Sequence, residues 1–129
     1  MPYPEVMSNT TPLQGKRALI IGASAGIGAA TARALDSAGA SLILVARRKE
    51  RLDQLAAELR DARAVPLDVK SPDAVQAALG GLTPDILVLN AGLAHGTSPA
   101  FLNTVDEVDD MIDTNIKGYL HILRAMLPA

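Results

Sequence analysis

Cysteine and tryptophan are both absent from the 129-residue sequence, and its only aromatics are two tyrosines and one phenylalanine. Without thiols there is no disulfide, no cysteine nucleophile and no thiolate metal site. With aromatics at 2%, Ala, Leu, Ile and Val must build the core. The only histidines are His95 and His121. There is no basic block and the net charge is -2, so nothing points to nucleic acid. No apolar run reaches the roughly 18 residues of a membrane span. The opening "MPYPEVMSNTTP" lacks the basic-then-apolar order of a signal peptide. Residues 1–12 are therefore expected to be a flexible lead-in or an oligomer arm, and the cytoplasm is the default compartment.

What is present is apolar content of 49%, enough for one globular domain and too much for disorder. Residues 17–21 (RALII) form a short apolar run ending at a glycine, as a buried strand does. Residues 27–38 are helical by propensity and stop at Gly39. Further strands are expected at 41–46, 63–69 and 85–90. Between them, 47–60 places Leu52, Leu55 and Leu59 at helical spacing. Ser71-Pro72-Asp73 opens another helix, which ends at Gly80-Gly81. Thr104 and Glu107 form a capping box before a helical stretch toward Leu127, broken near Asn115. No repeat, low-complexity tract or interdomain linker interrupts this β-α-β-α-β-α-β-α order. Near-continuous apolar strands alternating with helices predict an α/β fold, a Rossmann-type doubly wound parallel sheet across 13–129. Ligands then belong at the carboxyl ends of the strands.

Gly22, Gly26 and Gly28 lie where the first strand turns into the first helix. A tight glycine turn at a helix N-terminus presents free N–H groups and the positive end of the helix dipole to a phosphate. Missing side chains let the phosphate approach. A plain turn with packing glycines would use the same residues, but the position at the start of a βαβ unit favours a dinucleotide. The spacing is Gly-x-x-x-Gly-x-Gly, and no Lys-Ser/Thr follows, which excludes a P-loop.

Where an adenosine ribose should lie, at the end of the second strand, the chain has Ala46, Arg47 and Arg48 and no carboxylate. Guanidinium groups suit a 2′-phosphate through bidentate hydrogen bonds. A solvated basic helix start would look similar. Asp68, after the third strand, could accept from an adenine amino group or simply shape a turn.

Four strings in register, Gly22-Ala-Ser-Ala-Gly26-Ile-Gly28, Asp68-Val69, Asn90-Ala91-Gly92 and Asn115-Ile-Lys-Gly118, resemble the short-chain dehydrogenases/reductases. The resemblance covers residues 13 to 129, and "NAGLAHG" and "MIDTNIKG" look most like the NADP-dependent 3-hydroxy acid and serine dehydrogenases. It implies that Gly22, Ser24, Gly26, Ile27 and Gly28 hold the pyrophosphate and neighbouring ribose of NADP(H). It implies Arg47 at the 2′-phosphate (where position alone also offers Arg48), Asp68 and Val69 beside adenine, and Asn90, Ala91 and Gly92 along the fourth strand's exit. Asn115 matches the family's catalytic asparagine, which supports a helix kink and a water in a proton relay.

There are departures. Ile21 and Leu89 replace the Thr and the first Asn usual in relatives, and with Ile21 a side-chain hydrogen bond to the loop after the fourth strand is lost. The chemistry also needs a Ser and a Tyr-x-x-x-Lys, which relatives carry after a fifth strand. The tyrosines here are Tyr3 and Tyr119, and Leu123 stands four residues after Tyr119. Tyr119 is expected to pack beside Ile116, Leu120 and Leu123, Lys117 to lie on the surface, and His95 to be an exposed loop residue or a substrate contact.

The expectation is the cofactor-binding half of an NADP(H)-dependent alcohol/carbonyl oxidoreductase, incomplete and inactive alone. Its partners would be a small-molecule substrate and, at full length, further copies of itself, with no nucleic acid, membrane or metal. A stand-alone NADP(H)-binding module is the alternative. A methyltransferase fits less well, because the sugar-binding acid after the second strand is missing.

Overall fold

The computed structural model describes residues 11–92 and 99–127. Strands β1 (Arg17–Ile21), β2 (Ser41–Ala46), β3 (Ala62–Pro66) and β4 (Ile86–Leu89) alternate with helices α1 (Gly26–Ser37), α2 (Lys49–Glu58) and α3 (Pro72–Leu79). After β4 come a 3-10 turn (Ala100–Leu102), α4 (Val105–Ile112), a π-helical segment (Asp113–Lys117) and α5 (Gly118–Met126). The strands form one sheet in the order β3-β2-β1-β4, and every pair is parallel. This is the doubly wound α/β arrangement expected from the strand pattern.

The two-residue period of β1 separates two cores. Ala18 and Ile20 face a cluster with Ala29, Ala32, Leu42, Leu44, Leu52 and Leu55, from α1, β2 and α2. Leu19 and Ile21 face the other side, with Ile43, Val45, Val75, Leu79, Ile122 and Met126. Leu19, Ile20 and Leu44 are wholly buried, and each contributes roughly 1.5–3 kcal/mol by leaving water. Truncating any of them to Ala should cost about 2–5 kcal/mol.

Local capping signals set the starts of α3 and α4. The Ser71 hydroxyl accepts from the Ala74 N–H at 3.3 Å, with Pro72 in the first turn. The Thr104 hydroxyl accepts from the Glu107 N–H at 3.2 Å, and the Glu107 carboxylate accepts from the Thr104 N–H at 2.8 Å. Three boundaries differ from expectation. α2 starts at Lys49 because Arg48 is its extended N-cap, which leaves Arg47 and Arg48 at the strand exit. β3 stops at Pro66, because Asp68 closes a turn by accepting from the Lys70 N–H at 3.0 Å. The helix near Asn115 is widened and not broken: the Gly118 N–H reaches the Asp113 carbonyl, one residue further back than in an α-helix.

In register, Ile21 lies opposite Val45 on one side and Leu89 on the other. The glycine turn, the arginine segment and the asparagine segment therefore leave the sheet at the same end. β4 is only half-buried and forms one edge of the sheet. Among the described residues no helix is long and apolar enough to cross a membrane.

Candidate functional site

A cleft of about 320 Å³ opens at the carboxyl ends of the strands. Of the residues singled out in the sequence, Gly22, Ser24, Arg47, Arg48, Asp68, Val69, Asn90, Ala91 and Gly92 line it. Gly26, Ile27 and Gly28 form the first turn of α1 at its edge without lining it.

The glycine turn is built by close approach. Gly22 has φ +87, and a Cβ there would sit 2.5 Å from the Ala91 nitrogen. A Cβ on Gly28 would overlap the Gly22 carbonyl oxygen and lie 2.9 Å from Asn90 Nδ2. Gly26, with φ +58, has open space where a side chain would point. Ala25 is the N-cap of α1 and no side chain caps the helix. The first N–H groups of α1 therefore have no protein acceptor of the capping kind, and the positive end of the helix stands beside the cleft. This is a cradle for an anion with space left by missing side chains, and it fits a pyrophosphate.

The β2 exit is basic. Arg51, which the sequence reading passed over, lines the cleft with Arg47 and Arg48. It lies four residues after Arg47 on α2, so its side chain reaches back over the same strand end. Among the described residues Lys49 pairs with Asp53, Arg33 with Glu58, Arg60 with Asp36 and Lys70 with Asp110. Among the described residues no ion pair engages Arg47, Arg48 or Arg51. The hydrogen bond to Asp110 raises the Lys70 pKa above its ordinary value, while the Arg47 charge pulls the other way. Asp68 combines both of its expected roles, since it lines the cleft and accepts from Lys70 to close its turn.

The opposite wall is backbone. The Asn90 N–H donates to the Ile21 carbonyl at 2.9 Å, and Asn90 Nδ2 donates to the Gly22 carbonyl at 3.4 Å. Ile21 is buried and offers no polar group. Here the sequence reading of Tyr119 needs correction. It is no mere packing residue, since Ile116 and Leu120 beside it are exposed. Its hydroxyl donates to the Ala91 carbonyl, with the Leu89 carbonyl 3.1 Å away. Burial pushes that hydroxyl's pKa upward.

Asn115 does not line the cleft. It sits in the π-helical segment with Oδ1 4.0 Å from where a Gly92 Cβ would be. Its neighbour Thr114 does line the cleft, and the Thr114 hydroxyl oxygen is buried without a hydrogen-bond partner. Lys117 is largely exposed and pairs with Asp113 at 3.1 Å. His95 and Tyr3 lie outside the described residues. No cluster of potential metal ligands occurs among the described residues.

Residues 16–129 match the family model described as short chain dehydrogenase. The chain belongs to the short-chain dehydrogenase family. It is 45% identical over 116 residues to a serine 3-dehydrogenase of Agrobacterium fabrum, covering 85% of this chain and 47% of that one. It is 41% identical over 116 residues, with the same coverage, to an NADP-dependent 3-hydroxy acid dehydrogenase of Escherichia coli. Among solved structures, the closed form of a serine dehydrogenase complexed with NADP+ superposes with a TM-score of 0.77 at 39% identity, over 87% of this chain and 48% of that one. A 3-oxoacyl-[acyl-carrier protein] reductase of Brucella melitensis with bound NAD gives 0.86 at 27% identity, over 99% and 53%. The chain thus spans about half the length of the short-chain dehydrogenases it matches.

Proposed function

We propose that this chain forms the cofactor-binding half of an NADP(H)-dependent alcohol/carbonyl oxidoreductase. The observation that carries this reading is the pairing of an uncapped glycine turn with a carboxylate-free, arginine-lined β2 exit on one cleft. Gly22, Ser24, Gly26, Ile27 and Gly28 hold the pyrophosphate and the adjoining ribose. Arg47 and Arg48 hold the 2′-phosphate, with no carboxylate among residues 46–48 at the β2 exit. Asp68 and Val69 border adenine, and Asn90, Ala91 and Gly92 complete the wall across the cleft. The bound nicotinamide supplies hydride transfer to or from a small alcohol or carbonyl carbon. Similarity to an NADP-dependent dehydrogenase and to an NADP+ complex supports the choice of cofactor.

The residues of this chain supply binding without the proton donor. Neither Tyr3 nor Tyr119 is followed four residues later by Lys, since Met7 and Leu123 stand there. Asn115 is the one residue of the relay present, held in the widened helix near Gly92. The alternative reading is a stand-alone NADP(H)-binding module. On either reading the proposed compartment is the cytoplasm, and the proposed assembly of the full-length form is a homo-oligomer.

Fluorescence titration with NADPH and NADH tests the first step. Tighter binding of NADPH is expected, and equal affinities would reject the assignment. Incubation with NADPH and a panel of aldehydes, ketones and 3-oxo acids should give no sustained oxidation. Turnover by the purified chain would mean that a proton donor exists among these residues.

A further inference from the structure

The segment Arg47-Arg48-Lys49-Glu50-Arg51 carries four cations past the end of β2. Lys49 pairs with Asp53 and does not line the cleft. Arg47, Arg48 and Arg51 all line it, and among the described residues none of the three has an ion pair. The positions three and four residues from Arg51 hold Arg47, Arg48, Gln54 and Leu55. No acid therefore stands at the spacings at which helical side chains meet. Glu50 does not line the cleft, and the one carboxylate that does is Asp68, which accepts from the Lys70 N–H at 3.0 Å. Three guanidinium groups on one cleft repel one another, and an anion between them relieves that repulsion.

Arg51 differs from the other two in what carries it. Arg47 and Arg48 precede α2, with Arg48 as its extended N-cap, whereas Arg51 lies in the first turn of the helix. The next residue, Leu52, is wholly buried, and Leu55 follows it into the core. That packing fixes the backbone of Arg51. A helical side chain leans toward the helix N-terminus, so Arg51 returns over the start of α2, which no side chain caps. Guanidinium groups and the positive end of a helix thus converge on one spot. We propose that Arg51 is a specificity-determining residue for the cofactor, closing on the 2′-phosphate from α2 as a third guanidinium beside Arg47 and Arg48. The proposal rests on the dinucleotide reading of the cleft given above. A cation carried by a packed helix is placed in advance, so less freedom is lost when the phosphate arrives.

The test measures dissociation constants for NADPH, NADH, adenosine 2′,5′-bisphosphate and adenosine 5′-monophosphate. The proteins are the unsubstituted chain, Arg51→Gln and Lys16→Gln. Arg51 and Lys16 are both exposed, so both variants should fold. Arg51→Gln should weaken NADPH and the bisphosphate by about tenfold, the factor one charge-assisted hydrogen bond carries. It should leave NADH and the monophosphate unchanged. Lys16→Gln removes one positive charge from the opposite end of the sheet, just before β1, and should leave all four affinities unchanged. Unchanged NADPH affinity in Arg51→Gln overturns the proposal and leaves Arg51 a solvated cation. Equal weakening of NADPH and NADH overturns it as well, because the side chain then serves a part that both cofactors share. An equal loss of NADPH affinity in Lys16→Gln overturns it in favour of the overall field of the protein.

Salt supplies a second measurement. Added salt screens exposed charges, so it should lower the ratio of NADPH to NADH affinity in the unsubstituted chain, and less steeply in Arg51→Gln. Equal slopes overturn the proposal. If the unsubstituted chain binds NADPH and NADH equally, or binds neither, the dinucleotide reading fails and this proposal falls with it. A preference for NADPH that is the same in the unsubstituted chain and in Arg51→Gln overturns this proposal alone.

Discussion

The two walls of the cleft are built by opposite means. On the β1–β2 side, missing side chains at Gly22 and Gly28, a bare helix start and three arginines make the surface. All of it arises within a few residues of a strand end. On the β4 side, Asn90 and Ala91 are held by partners far along the chain, Gly22 for the first and Tyr119 for the second. The first wall supplies charge and room, while the second supplies fixed geometry. A cleft of this kind can lose affinity in two ways, by losing a ligand group or by losing alignment.

The largest effect should come from the point where the walls meet. Gly28→Val would drive a branched side chain into the Gly22 carbonyl and Asn90. It should cost more than about 3 kcal/mol, the upper end for overpacking, with a lowered melting temperature by circular dichroism and no NADPH binding. Gly26→Val separates binding from folding on the first wall. Its side chain enters open space, at a φ of +58 that costs a branched residue roughly 1–2 kcal/mol. The fold should survive, and NADPH affinity should fall by roughly 100-fold, as for two lost charge-assisted hydrogen bonds. A Gly26→Val protein that binds NADPH normally would remove the phosphate from this loop.

Arg47→Asp should weaken NADPH binding by about 1.5–3 kcal/mol and spare NADH, as read by parallel titrations. The second wall should respond more gently. Asn90→Ala removes a long hydrogen bond to Gly22 and should cost about 0.5–1.5 kcal/mol of stability in a denaturant melt. The smallest effect is in alkali. Burial raises the Tyr119 pKa in the folded state above its ordinary value of 10.0. Its contribution is fully present below pH 10.0 and is lost as pH rises through the higher folded value. Stability of the unsubstituted chain should fall in that range more steeply than that of Tyr119→Phe.

The first wall was legible in the sequence because its causes are local. A strand, three glycines and an Ala-rich helix lie consecutively, and Ala46-Arg47-Arg48 follow the next strand directly. Capping at Ser71 and Thr104 was equally readable, since each cap lies three residues from its partner. Arg51 escaped notice although its spacing from Arg47, one helical turn, was a usable signal. Tyr119 could not be read this way. Its carbonyl partners are 28 and 30 residues distant, and nothing near it in sequence announces a donor. The widened segment at Asp113–Lys117 was anticipated only as a break, because no local composition distinguishes an extra residue in a helical turn from an interruption.

That widened segment works as a phase shifter. One residue added to a helical turn rotates everything after it by about 100°. Val105, Val108 and Ile112, before the segment, face solvent, whereas Ile122 and Met126, after it, face the core. Deleting one residue between Asp113 and Lys117 would leave every side chain of α5 unchanged in identity and wrong in direction. Tyr119 would swing off Ala91, and Ile122 and Met126 would leave the sheet together. The helix thus carries its instruction in the count of its residues as much as in their kind.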